Sequence, residues 1–268
     1  MKDWKRWISL YVRLIFLHIR SQFEFPGDFW IGVLGSALKQ VTGLIFLGAL
    51  FAHIPAIAGW SRWQVAFLFA MILIPQGIAD VAAAGPWTLR TLVSHGAFDR
   101  VLLSPAPPLL VVLTKISNFH QGAATGLLGV ALVMVSSAHL HLAWDVAHAM
   151  YFGCALISGT VIVSAVNLAA NSYVFWEPTP TSAVPFFVNN IAEIAKFPMS
   201  AYGKTVQFAL TYIVPFAAVS YYPGRILLGK SPLNLGAFAY TLFMALATSI
   251  VAYGIWTRGL RRYQSTGH

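Results

Sequence analysis

Long apolar runs dominate the chain and are separated by short stretches rich in glycine, proline and charged residues. Six of these runs approach the roughly 20 residues that a helix needs to cross a bilayer. They cover residues 29–53, 63–84, 109–137, 146–173, 205–220 and 235–256. None alternates polar and apolar positions as a membrane β-strand does, so the pattern predicts an all-α integral membrane protein with six transmembrane helices.

The first 25 residues follow a different pattern. Lys2, Arg6, Ser9, Arg13 and Arg20 share one stripe at helical spacing, and most of the remaining positions are aromatic or aliphatic. This is typical of a helix lying in the membrane interface, with its basic residues on anionic lipid. A seventh span is the alternative, but it would bury an arginine near mid-bilayer with no evident partner. We therefore predict an interfacial helix over residues 1–25.

The stretch from 184 to 201 is apolar but interrupted. Asn189, Glu193 and Lys196 fall on one helical face, and Pro198 follows them. Two interpretations stay open, an amphipathic helix on the cytoplasmic surface and a broken entry to the fifth span.

Composition supports membrane insertion. Of the 268 residues, 58% are hydrophobic and only 9% are charged, whereas soluble domains carry roughly 25% charged residues. So few charges do not cover the surface of a soluble protein of this length, which excludes that class.

The formal net charge of +9 is informative through its distribution. With both termini placed inside, the inner segments carry ten lysines and arginines and the outer loops carry three. Since membrane proteins concentrate Lys and Arg on the cytoplasmic side, this favours cytoplasmic termini. The charge therefore indicates lipid contact and orientation, and no nucleic-acid partner is expected. The inner ten residues are Lys2, Lys5, Arg6, Arg13, Arg20, Arg90, Arg100, Arg258, Arg261 and Arg262.

One motif matches a phosphate-binding loop. Residues 224–231 (GRILLGKS) satisfy the G-x-x-x-x-G-K-[ST] pattern. Such a loop functions between a strand and a helix N-terminus. Here an apolar membrane run precedes it, Pro232 follows it, and the predicted topology places it outside the cell. We interpret it as a short surface helix ending at a glycine turn.

No set of residues predicts catalysis. Serine–histidine and cysteine–histidine constellations are not evident, and no paired acids stand out on one membrane face. His139, His141, Asp145 and His148 cluster near one loop, but their spacing fits no familiar zinc pattern. Asp145 is better interpreted as the N-cap of the next helix. We expect no catalytic residue, metal or cofactor on this chain.

Polar residues inside apolar runs are the better functional lead, because their burial in lipid is costly. Pathway lining is one interpretation; hydrogen bonding between helices, or a lysine reaching back to the interface, is the other. The candidates for a substrate pathway are Lys39, Gln40, Asn167, Asn171, Asn189 and Glu193.

Several blocks, in order along nearly the whole chain, resemble a known family. They are 96–105 (GAFDRVLLSP), 197–198 (FP), 211–223 (TYIVPFAAVSYYP), 227–229 (LLG) and 256–265 (WTRGLRRYQS). These blocks are similar to the six-span permeases of ABC-2 type exporters, the subgroup that includes daunorubicin-type and viologen-type efflux permeases. Positions 97, 98 and 104 (Ala, Phe and Ser) depart from the more regular charged pattern of that family.

The resemblance implies a single transmembrane domain over residues 1–268 of the ABC-2 (type V exporter) kind, in the bacterial plasma membrane. It implies an elbow helix at 1–25, a cytoplasmic coupling loop at 85–108 and an extracytoplasmic re-entrant segment at 221–232. The residues expected to couple to an ATPase are Trp87, Leu89, Arg90, Leu92, Val93, Asp99 and Arg100. Tyr221, Tyr222 and Pro223 are expected near the exit.

The partners implied are two copies of an ABC ATPase, which bind ATP and Mg²⁺, and a second permease, identical or homologous. The chain would itself be no enzyme, and its efflux substrate would be drug-like, lipid-linked or a saccharide. The alternatives are an ATP-independent transporter or channel, and an intramembrane lipid-modifying enzyme.

Overall fold

The computed structural model describes residues 3–24, 26–178 and 183–264, and the described secondary structure is helical. The α-helices are α1 (Asp3–Gln22), α2 (Pro26–His53), α3 (Arg62–Ala82), α4 (Leu89–Ser94), α5 (Asp99–Leu102), α6 (Pro108–Leu113), α7 (Phe119–Leu140), α8 (Val146–Ser172), α9 (Val184–Ile194), α10 (Lys204–Phe208), α11 (Tyr221–Leu227) and α12 (Leu235–Arg262). Within the described ranges, five helices are long and apolar enough to cross a membrane: α2, α3, α7, α8 with its extension to Phe175, and α12.

Helix α3 is the centre of the bundle, because its side chains are buried along most of its length. It packs closely on α7 through glycines. A Cβ atom on Gly77 would lie 2.6 Å from the carbonyl oxygen of Gly122 and 2.6 Å from the amide nitrogen of Gly126. Small residues therefore set the separation of these two helices, as expected where backbones approach within a membrane.

Helix α8 packs on the other side of α3 and also against α12. Gly159 faces the ring of Pro75 within α3, so this contact is also close. By contrast, α2 packs mainly on α7, and Leu47 is its only buried residue. The first helix of the bundle thus presents most of its apolar surface outward.

Contacts at the ends of α3 define two faces of the bundle. At its C-terminal end, the Tyr11 hydroxyl of α1 donates to the carbonyl oxygen of Ala82. The segment after α3 lies there too, with Phe98 packed on Tyr263 just after α12. We call this the basic face, because α1, the 85–118 segment and the end of α12 carry most of the lysines and arginines. At the opposite face, Trp60 contacts Tyr221.

The predicted start of the third span at residue 109 is wrong. Helix α6 ends at Leu113, and the long helix α7 begins only at Phe119. Between them the chain is held by two hydrogen bonds to α3. The Asn118 amide donates to the carbonyl oxygen of Asp80 at 2.9 Å, and the Ser117 hydroxyl donates to the carbonyl oxygen of Val81 at 2.7 Å. The partners lie on α3, so contacts distant in the chain fix this break.

The fifth predicted span, residues 205–220, is not a continuous helix. Helix α10 continues into a π-helical turn (Ala209–Ile213) and stops before Pro215, and a short 3₁₀ turn (Phe216–Ala218) follows. Proline lacks the amide that a helix needs and disfavours helical backbone in the residue before it. The chain therefore passes this region in short pieces.

Helix α9 resolves the two interpretations of residues 184–201. Its first turn lies at the basic face, where the Phe186 ring is 5.9 Å from that of Trp87. Beyond its last turn, the Phe197 ring is 5.3 Å from that of Phe69, well inside α3. The segment therefore runs along the bundle, as a broken entry to the fifth crossing does, and not across the surface.

Candidate functional site

The segment that follows α3 is anchored to the bundle by close backbone contact. A Cβ atom on Gly85 would lie 1.7 Å from the carbonyl oxygen of Val112 in α6, so only glycine fits there. The 3₁₀ turn Gly85–Thr88 then leads directly into α4. The start of the predicted coupling loop is thus fixed relative to α3.

Helix α4 turns its apolar residues inward. Leu89, Leu92 and Val93 are buried in a cluster with α8 and α12. Trp87 is half-buried beside Phe186, and the Arg90 guanidinium lies 4.7 Å from the centroid of the same ring. Most of the residues expected to couple to an ATPase in this stretch therefore hold the loop in place.

The turn between α4 and α5 inserts an aromatic anchor. Gly96 adopts a left-handed conformation with φ of 67°, which suits a residue without a Cβ atom. The turn places Phe98, fully buried, against Phe175, Trp256 and Tyr263. The loop is thereby joined to the ends of α8 and α12.

The outer side of the same loop is exposed and largely apolar. Leu103 is 84% exposed and Leu102 is 42% exposed, although Val101 beside them is buried. Arg100, Pro105 and Pro107 are also exposed. We call Arg100, Leu102, Leu103, Pro105 and Pro107 the docking ridge; it is an apolar strip with one positive charge on a rigid base.

The six pathway candidates lie on three helices. Lys39 is exposed on α2, and Gln40 beside it donates to the Thr125 hydroxyl of α7 at 3.1 Å. On α8, the Asn171 side chain is fully buried and donates to the carbonyl oxygen of Asn167 at 2.8 Å.

Helix α9 holds the last two candidates, Asn189, which is half-buried, and Glu193, which pairs with Lys196. Within the described part of the chain, no hydrogen bond or ion pair links the candidates of one helix to those of another. The chain alone therefore does not assemble them into one site.

The predicted exit residues begin α11 at the opposite face. Tyr222 contacts the Tyr240 ring at 5.3 Å, and its hydroxyl lies 3.3 Å from that of Thr211. Tyr221 is half-buried and Pro223 is buried. A cavity of about 410 Å³ opens beside Tyr222 and Tyr240.

The residues that match the phosphate-loop pattern, 224–231, begin within α11 and continue past its end. Gly224 lies within α11 against Leu68, and the next helix, α12, starts only at Leu235. The matched residues therefore do not precede a helix N-terminus directly, as a phosphate loop does.

Comparison with family models identifies the family of the chain. Residues 37–267 match the model described as "ABC-2 family transporter protein". The chain belongs to the ABC-2 transporter family. Neither curated proteins nor solved structures give a match. The chain is therefore a multi-pass membrane permease of an ABC transporter, as its resemblance to that family implies.

Two ionisable residues of the permease were missed as candidates. Asp80 is buried near the end of α3 and lies within electrostatic range of Lys39. Lys196 is buried at 4% exposure, with its ammonium 5.5 Å from the Phe69 ring centroid. The signal for Asp80 was present in the sequence, because a lone acid in an apolar run meets the same criterion as Lys39.

The Asp145 cap is confirmed. Its carboxylate accepts from the His148 amide at 2.7 Å and lies 2.7 Å from the His148 ring nitrogen. These hydrogen bonds, the amide one first, lower the pKa of Asp145. Asp145 is thus the N-cap of α8, as its position in the sequence predicts.

As the pH rises into the alkaline range, we expect the Tyr263→Phe variant to lose less stability than the unaltered permease loses. Burial, together with the hydrogen bond that its hydroxyl donates to Asp99 at 3.0 Å, raises the pKa of Tyr263 to about 12. A raised pKa means that the folded state holds this proton more tightly, so its contribution is present below pH 10 and lost as pH rises to about 12.

Thermal unfolding in detergent between pH 8 and pH 12 measures this effect. Tyr253→Phe is the control, because Tyr253 lies on the exposed side of α12, the helix that Tyr263 directly follows. Identical alkaline profiles for Tyr263→Phe and the unaltered permease would contradict the prediction.

Proposed function

We propose that the permease pairs with a second permease and docks two copies of an ABC ATPase, forming an exporter in the bacterial plasma membrane. ATP and Mg²⁺ bind to the ATPase, and this chain supplies the path for the substrate. The docking ridge is the observation that carries the proposal: exposed leucines on a loop whose other side is locked into the bundle.

A rigid base is what coupling requires. Closure of an ATPase dimer moves its permeases only if the contact transmits force without yielding. Phe98 fixes the loop to Phe175 and Trp256, and the Asp99 carboxylate accepts from the Tyr263 hydroxyl. Movement of the docking ridge would therefore be passed to α8 and α12, which are members of the bundle.

The proposed orientation places the basic face in the cytoplasm. The face carries α1, Arg90, Arg100 and the arginines at the end of α12, in accord with the rule that Lys and Arg concentrate inside. Both described ends of the chain, α1 and residue 263, lie there. Helix α1 would then lie along the inner membrane surface in contact with anionic lipid.

The second permease is proposed to pack on α2. Its exposed apolar residues form a long strip, and Trp30, Ile31, Leu34 and Ile45 are each more than 60% exposed. Lys39 lies beside this strip, on the side of α2 where Phe46 contacts Phe197 just after α9, so Lys39 and the exposed Glu193 would border the interface between the chains. Of the pathway candidates, Lys39 and Glu193, which the single chain leaves apart, would then face a shared path.

Substitution of Leu103 by aspartate tests the docking of the ATPase. The change places a charge in the middle of an apolar contact, which we expect to lower ATPase recovery about tenfold or more. The permease is co-expressed with its neighbouring genes, purified by a tag, and the ATPase that copurifies is quantified. ATP-dependent transport in vesicles should fall in parallel.

Leu235→Asp is the matched control. Leu235 is 85% exposed but lies at the opposite face, so the same change at the same exposure should leave ATPase recovery unaltered. Full recovery with Leu103→Asp would contradict the docking proposal. Transport that continues without ATP, with no ATPase bound, would instead favour an ATP-independent transporter.

A further inference from the structure

A pocket at the basic face lies between α1 and the end of the docking ridge. Its volume is about 470 Å³, and it is lined by Arg6, Trp7, Ser9, Leu10 and Arg13 of α1 and by Pro105 and Ala106. Pockets of this size hold small molecules. The helix that meets lipid and the loop that meets the ATPase therefore share one cavity.

The residues that line this pocket carry two positive charges, those of Arg6 and Arg13, and both side chains are exposed. None of the lining residues is acidic. Two guanidinium groups at one cavity favour an anion, and the planar guanidinium fork matches a phosphate group.

Helical spacing lets the two arginines converge on one anion. They are two turns apart, about 10 Å along the axis, on the same side of α1. Ser9 lies between them on that side and offers a hydroxyl donor. The Arg6 guanidinium lies 5.4 Å from the Trp7 ring centroid, an attraction that restrains its orientation.

The surroundings favour a lipid as the source of this phosphate. Ile8, Val12, Phe16 and Leu17 on α1 are each at least half exposed, so apolar surface borders the basic stripe. Tryptophan is enriched at the depth of the lipid headgroups, which suits Trp7 to a position beside a headgroup. A phosphate group in the pocket would thus have its acyl chains beside these apolar side chains.

We propose that this pocket is a discrete binding site for the phosphate headgroup of an anionic phospholipid, held by Arg6 and Arg13. The bound headgroup bridges α1 and the loop at Pro105 and so holds that end of the docking ridge against α1. This last consequence rests on the proposed function, whereas lipid binding itself requires no ATPase.

Native mass spectrometry of the purified permease in detergent tests the site with phosphatidylglycerol and phosphatidylcholine as probes. We expect phosphatidylglycerol to bind about tenfold more tightly. The double substitution Arg6→Gln and Arg13→Gln should remove that preference, since two charge-assisted contacts are lost. Replacing both arginines by lysine should restore it in part, because charge returns without the planar fork.

Lys5→Gln with Arg20→Gln is the matched control, since it removes the same charge from exposed positions of α1 outside the pocket. We expect it to change binding less than about twofold. Equal losses in the two double variants would show diffuse charge attraction and overturn the discrete site. Binding of inorganic phosphate alone as tightly as phosphatidylglycerol would overturn the lipid as the ligand. The docking proposal is tested separately, by ATPase recovery with Leu103→Asp, so the lipid site and the docking proposal can fail independently.

Discussion

Replacing Gly77 with alanine is expected to destabilise the permease by about 3 kcal/mol, at the upper end of the range for overpacked sites. The added methyl group would lie 2.6 Å from backbone atoms of Gly122 and Gly126, and backbone does not move aside as a flexible side chain does. Helices α3 and α7 would have to separate, which loses packing along the centre of the bundle. Unfolding by SDS titration, followed by circular dichroism, measures the change.

Gly43→Ala is the matched control for this prediction. Gly43 also lies within a long helix, but nothing lies within 4 Å of the position that its Cβ atom would take. Alanine has the higher helix propensity, so this variant should be as stable as the unaltered chain or more stable by up to about 1 kcal/mol. Equal changes in the free energy of unfolding at the two positions would mean that the α3–α7 contact does not cause the loss of stability, which would contradict the prediction.

The second large effect is expected at the ion pair of Glu193 and Lys196. Glutamine at Glu193 leaves the Lys196 ammonium buried without its acidic partner. The Phe69 ring, 5.5 Å away, then still attracts the ammonium by a cation–π interaction. Breaking a fully buried pair costs about 3–5 kcal/mol. Because the Glu193 side chain is 48% exposed, we expect about 2 kcal/mol here.

The double variant Glu193→Gln with Lys196→Met should recover most of this loss, because the buried charge is then absent. Unfolding of the two single variants and the double variant completes a double-mutant cycle. Strict additivity of the two single effects would show that the residues act independently and would contradict the pairing.

Much of the architecture followed from the sequence, because hydrophobic length and charge distribution are local properties. Four of the predicted spans, 29–53, 63–84, 146–173 and 235–256, correspond to α2, α3, α8 and α12. The Asp145 cap followed from its position before an apolar run, and the ABC-2 family followed from short blocks along the chain.

The errors arose where distant contacts outweighed local pattern. The start of α7 at Phe119 depends on α3 carbonyl groups that accept from Ser117 and Asn118. The apolar content of residues 205–220 predicts one helix, whereas Pro215 breaks it into short turns. Distant contacts also set which side of α4 faces the bundle: Leu89, Leu92 and Val93 are buried, and a sequence does not show which side of a short amphipathic helix meets its own bundle.

The sequence by itself determined a helical membrane protein with basic residues gathered at one end, because the length of an apolar run and the placing of charges are fixed by the order of residues. Only the tertiary structure decided which side of the 85–108 loop is free and which side is locked by Phe98. It also decided that Arg6 and Arg13 share a cavity with Pro105. These features depend on contacts between segments far apart in the chain, which periodicity within one segment does not encode.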